Sequence, residues 1–183
     1  GRITGTGTLN INNGVLNTDK VVIENAVTDQ TINVLHGTLE MSNVDLTNST
    51  IANNASLILN SADDTTMSVS GGINGTGVLN INAEESNTGT VSIANALRNQ
   101  TVIVSNGKLE LNDVNVTGSQ ITNNATVEMN ATETAMNLTG GVYGDGELNI
   151  NTDELNTGKV SIATALQNQT VTLSHGTLAL KDM

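Results

Sequence analysis

The chain has 183 residues, a formal net charge of −12 and almost no aromatic content: one Tyr, no Phe, no Trp, and also no Pro and no Cys. The missing cysteines exclude a disulfide scaffold, a Cys-based zinc site and thiol redox chemistry, and no run of about 18 apolar residues is present to span a membrane. Nucleic acid is excluded as a partner, because the six basic residues (Arg2, Lys20, Arg98, Lys108, Lys159 and Lys181) are scattered among 18 carboxylates and form no phosphate-neutralising stripe.

The first residues, GRITGTG, line up with the internal stretches GGINGTG and GGVYGDG, and neither a signal peptide nor an initiator Met precedes Gly1. The chain is therefore expected to begin inside a repeat, as a fragment of a larger protein. GTGTLNIN from Gly5 recurs as GTGVLNIN from Gly75 and GDGELNIN from Gly144, so the starts are 70 and 69 residues apart. The same spacing relates NTDKVVI, NTGTVSI and NTGKVSI from Asn17, Asn87 and Asn156, then DQTI, NQTV and NQTV from Asp29, Asn99 and Asn168. STIANNASLILN from Ser49 matches SQITNNATVEMN from Ser119. The missing residue falls where Asn60 to Met67 is shortened to Asn130 to Met136, and this segment reads as a loop, since a deletion inside a strand would turn its buried face outward. Residues 75 to 112 and 144 to 181 share 24 identities in 38 positions. The organisation is thus repeat unit 1 over 1–70, unit 2 over 71–140 and a partial unit 3 over 141–183, in one continuous body.

Within each unit the apolar residues alternate: Val78, Leu79 and Ile81, Val91 and Ile93, Val102 and Val104, Leu109 and Leu111, Val127 and Met129. Short strands rich in Val, Ile, Leu and Thr are the reading, with Leu79, Ile81, Val91, Ile93, Val102, Val104, Leu109, Leu111 and Val127 inward. SIANALRNQ from Ser92 is the best helical stretch, yet it fits a strand followed by a bend. Asn13-Gly14, Asn74-Gly75 and Asn106-Gly107, with His36-Gly37 and His175-Gly176 in the column of the last, supply turn residues that tolerate positive φ. Each unit divides into three turns of roughly 23 residues, in the middle unit 72–97, 98–118 and 119–141. An all-β right-handed parallel β-solenoid of about eight coils, three per repeat, is expected, its side chains stacked at about 4.8 Å. Val, Ile, Leu and Ala fill its interior, while Asn and Thr satisfy backbone groups at the bends.

GxGxLNIN, then NTGxVSI, then NQTVxVxxGxLxL resembles the repeat arrays of bacterial autotransporter passengers and of large haemagglutinin-type adhesin exoproteins, over essentially the whole chain. The resemblance implies a right-handed β-helix secreted to the bacterial cell surface, tethered through regions outside this stretch and serving as an adhesive shaft. Its implied partners are host or bacterial surface glycans or proteins, and copies of itself.

Residues that can carry chemistry are few. His36 and His175 share their column with Asn106, always before Gly, so the column selects a turn former and not a ligand. The GTG and GDG turns lack the third glycine and the helix of a phosphate-binding loop. Asp63-Asp64, and Glu84-Glu85 with its counterpart Asp153-Glu154, are the candidates for Ca²⁺, but neither follows the calcium-binding nonapeptide, and no cofactor is expected. Solvated charge on a long rod is the simpler reading. No catalytic and no metal-binding residues are assigned, and no enzymatic activity is expected, because a polysaccharide-cleaving site requires converging carboxylates and aromatic platforms. Arg98 and Tyr143 depart most from their repeat columns and are the ligand-contact candidates. A glycan- or receptor-binding module of a surface or phage fibre protein is the alternative to the shaft.

Overall fold

The computed structural model describes Gly1 to Lys181 as twenty short strands, from Gly7–Ile11 to Thr177–Lys181, and no helix among the described residues. Every strand pairing is parallel, and the chain winds as a three-sided β-solenoid. The register follows three inward columns. The first side stacks Leu9, Ile32, Ile51, Ile73, Leu97, Val116, Leu138, Ile162 and Leu180. The second stacks Val21, Leu39, Leu57, Leu79, Val102, Ile121, Val142 and Leu166. The third stacks Leu46, Val69, Ile93, Leu111, Met129, Ile150 and Leu173. Nine levels on the first side enclose eight intervals, a length of about 38 Å at the inter-strand spacing. The ladder crosses the repeat boundaries without interruption.

The alternation explains why these segments are strands. Leu79, Ile81, Val91, Ile93, Val102, Val104, Leu109, Leu111 and Val127, the residues expected inward, are all completely buried. Aliphatic side chains fill this interior because each stacks on its counterpart one level above and below, about 4.8 Å away. The segment from Ser92 lies in the strand Thr90–Arg98, which bends between Ala94 and Ala96, where Asn95 takes a positive φ. Between Asn60 and Met67 the loop is confined to Ser61–Thr65, and Met67 is already a buried strand residue.

The repeat and the turn are not in phase. Leu9, Leu79 and Leu148, equivalent residues of the G-x-G-x-L motif, stand on the first, second and third sides respectively. Each repeat therefore comprises ten sides of about seven residues, which is three turns and one side more. Equivalent residues of successive units are turned by a third of a circle and raised by about 16 Å. What stacks directly on a side chain is consequently a different position of the repeat.

Corners are held by left-handed residues. Asn12, Asn82 and Asn151, the last residues of the LNIN motif, take φ of 50°, 51° and 53°. Their amides cap the turn: Asn82 Nδ2 donates to Gly89 O at 2.8 Å and Asn151 Nδ2 to Gly158 O at 3.0 Å. At Asn13-Gly14 the positive φ expected of that pair is thus carried by the preceding Asn12. The column of Asn95 has a conflict, because Thr164, its equivalent, adopts φ 88° with a β-branched side chain. Thr164→Asn is expected to raise stability by about 1 kcal/mol, measured as a higher urea midpoint. A lowered midpoint would mean that the bond from Thr164 Oγ1 to Thr139 O, 2.9 Å, outweighs the strain.

Candidate functional site

The recurring G-x-G turn lies over a buried pair of amides. Asn53 and Gln100 belong to levels two turns apart, with the Gly75-Thr76-Gly77 turn between them. Asn53 Nδ2 donates to Gln100 Oε1 at 2.8 Å and to Val78 O at 2.9 Å, and Gln100 Nε2 donates to Gly75 O at 2.6 Å. The next unit repeats the arrangement: Asn123 Nδ2 donates to Gln169 Oε1 at 2.7 Å and to Glu147 O at 2.8 Å, and Gln169 Nε2 bonds Gly144 O. In the first unit Gln30 bonds Gly5 O in the same way. Glycine is required here for space. A Cβ on Gly77 would lie 2.5 Å from Ala55 O and 2.7 Å from Asn53 Cγ. The motif is a corner lock, and its amides are satisfied internally.

A half-buried polar cluster lies on the third side. Lys108 Nζ lies 3.0 Å from Glu128 Oε2 and 3.5 Å from Glu110 Oε2. Glu128 Oε1 also accepts from Asn130 Nδ2 at 2.8 Å and from Thr152 Oγ1 at 2.7 Å, while Asn112 bonds Glu110. Burial pushes the Glu128 carboxyl up, but the bonds from Asn130, Thr152 and Lys108 outweigh it and hold the pKa below the ordinary glutamate value. Burial likewise pulls the Lys108 ammonium down, and its bond to Glu128 with the charges of both glutamates reverses this, leaving the pKa above the ordinary lysine value. A depressed carboxyl pKa contributes stability that is present above the unfolded-state glutamate range and lost as the pH falls through the folded-state value. The lysine contribution persists up to its ordinary range near pH 10.5 and is lost above it. Acid titration of the wild type should therefore show a loss of stability below the ordinary glutamate range that is reduced in Glu128→Gln; equal acid slopes in the two proteins would remove Glu128 from this role.

As chemistry, the cluster offers little. A carboxyl held below its ordinary pKa is a poor general acid at neutral pH, and both carboxylates are already engaged by neighbours. The first unit builds its counterpart differently. Glu40 pairs with Lys20 from the adjacent strand at 2.7 Å, where the second unit places its lysine on the same strand as Glu110.

The other candidates lie apart. Arg98 is exposed on the first side, beside Thr117, at the fifth level. Tyr143 is half-buried on the second side, beside Thr122, at the seventh, and its ring lies over Gly141. The structure does not bring these two together. His36 and His175 contribute their backbone carbonyls to the amides of Asn12 and Asn151 at 3.0 and 3.1 Å, and the glycines after them, like Gly107, have φ between 59° and 68°. The column is a turn. Asp63 accepts from Thr88 Oγ1 at 2.7 Å, which ties the loop Ser61–Thr65 to the loop that carries Glu84-Glu85. Among the described residues no three His, Cys, Asp or Glu side chains converge to hold a metal ion.

The buried amides do not show in the strand and turn pattern of the sequence. Their signal was present: Gln30, Gln100 and Gln169 keep one column and one distance from the G-x-G turn. No protein-family model, curated protein or solved structure matches this chain.

Proposed function

We propose that this chain is a non-enzymatic repetitive shaft of a secreted bacterial surface adhesin, which acts by distributed contacts along its faces. The observation that carries this reading is the ten-sided repeat. Successive units present equivalent residues on three different sides about 16 Å apart, so duplication spreads a weak contact around and along the rod instead of assembling a pocket. The separation of Arg98 from Tyr143 and the internal saturation of the Lys108 cluster support the same view. Partners of such a shaft are surface glycans or proteins and copies of the shaft itself. Weak individual contacts give avidity only when many engage together.

Adhesion of cells displaying zero, one, two and three 70-residue units is the test. A graded increase with unit number is expected, with Arg98→Ala leaving it unchanged. Complete loss from Arg98→Ala alone or Tyr143→Ala alone would replace the shaft by a discrete recognition site.

A further inference from the structure

Charge is unevenly distributed over the solenoid. On the second side, the strands Ser56–Asn60, Val78–Ile81, Thr101–Val104, Gln120–Asn123 and Val142–Tyr143 stack in consecutive levels and contain no charged residue, in a chain with a net charge of −12. One outward column of this strip runs Ile58, Asn80, Ile103, Thr122, Tyr143. All five are half-buried, and apolar and hydrogen-bonding side chains alternate rung by rung. This order is not a property of the repeat. The column is assembled from five different repeat positions by the phase slip between repeat and turn.

We propose that this strip binds a neutral, extended β-1,4-linked polysaccharide laid along the solenoid axis. Charge selects a neutral polymer: an acidic chain is repelled by the −12 of the rod, and a cationic one is drawn to the carboxylates of the third side and the loops. The area of the strip selects a narrow occupant. Five rungs by two outward residues cover on the order of 250 Å², whereas a stable dimer of rods needs about 800 Å² from each partner. The chemical order selects the linkage. A β-1,4-linked glucan is a straight, flat ribbon whose sugars present apolar C–H faces and carry their hydroxyls at the edges, so it can rest on the apolar rungs while its hydroxyls reach the hydrogen-bonding rungs between them. Apolar sugar faces rest on Ile58, Ile103 and the Tyr143 ring, and equatorial hydroxyls bond Asn80 and Thr122. The inference goes beyond the distributed contacts of the shaft reading and rests on it for the rod's exposure to such a polymer.

Tyr143 is the sole aromatic residue of the chain, so its fluorescence reports this strip without background. Titration of the isolated chain with cellohexaose is expected to give a saturable change in Tyr143 emission, with affinity rising from cellobiose to cellohexaose. Ile103→Asp, which places a charge mid-strip on the outward face, should weaken binding by at least about tenfold; Thr122→Glu serves the same purpose should the first variant lose its far-UV dichroism. Arg98→Ala, on another side, should leave binding unchanged. Binding of maltohexaose or polygalacturonate as strong as that of cellohexaose would overturn the proposal. So would an unaltered titration in both strip variants, no emission change at any cellohexaose concentration, or a concentration-dependent dimer abolished by Ile103→Asp, which would give the strip to a second copy. The titration uses no cells, so loss of graded adhesion with intact cellohexaose binding refutes the shaft alone, and the converse refutes the strip alone.

Discussion

Ile93→Asp should unfold the middle of the rod, whereas Ile103→Asp should leave it folded. Residue type and substitution are identical. Ile93 is fully buried on the third side, between Val69 below and Leu111 above, while Ile103 faces outward between Asn80 and Thr122. At position 93 the change removes an aliphatic side chain from two stacking contacts and puts a carboxylate where no cation or water can reach it. The combined cost is more than about 4 kcal/mol, a large part of the 5–15 kcal/mol that ordinarily holds a domain together. Apart from the Asn–Gln pairs at the G-x-G corners, each level contacts its neighbours, so the damage propagates along the axis by loss of stacking and not through a shared globular core. At position 103 the carboxylate points into water, and the loss is about 1 kcal/mol. Urea unfolding followed by far-UV dichroism, with limited proteolysis to find the broken turn, separates the two. Comparable midpoints would mean that the strand phase is wrong by one residue.

The second large effect concerns the G-x-G corner. Gly77→Ala should be severely destabilising, and Gly7→Ala, the same substitution at the equivalent place in the first unit, should cost little. In the middle unit a Cβ meets the backbone carbonyl of Ala55 and the amide of Asn53 beneath it, neither of which can yield without opening the turn or the Asn53–Gln100 pair. Separating that pair leaves buried amide groups unpaired, at about 1–3 kcal/mol each. At Gly7 the nearest atom to such a Cβ is Gln30 Oε1 at 3.2 Å, the far end of a flexible side chain. Expected results are a fall of several kcal/mol for Gly77→Ala and a nearly unchanged urea midpoint for Gly7→Ala. Equal losses in the two would show that the glycines act through backbone conformation and not through the level below.

Much of this fold was legible beforehand, for a local reason. Strand alternation depends on residues i and i+2, and a 70-residue period is visible without knowing which residues touch; hence the inward set from Leu79 to Val127, and turn divisions near 72, 98 and 119 that fall close to Ile73, Leu97 and Val116 on the first side. The Asn–Gln pair was not legible in this way. Asn53 and Gln100 are 47 residues apart, and only the winding of two turns makes them partners. Neither was the uncharged strip, since its outward column draws on five repeat positions that no comparison of aligned units places together.

The sequence by itself determined the strands, their buried faces, the repeat and the absence of aromatic bulk, because these follow from side-chain periodicity and composition alone. Tertiary structure decided which side each strand occupies. Ten sides per repeat do not divide into three-sided turns, and that remainder sends equivalent residues to different sides and separates Arg98 from Tyr143. It also gathers unlike positions into the charged cluster around Lys108 and the neutral column from Ile58 to Tyr143. The physical cause is turn length: a few residues gained or lost at a corner change the number of sides in a repeat, and with it every lateral neighbour on the surface, while each strand keeps its own alternation.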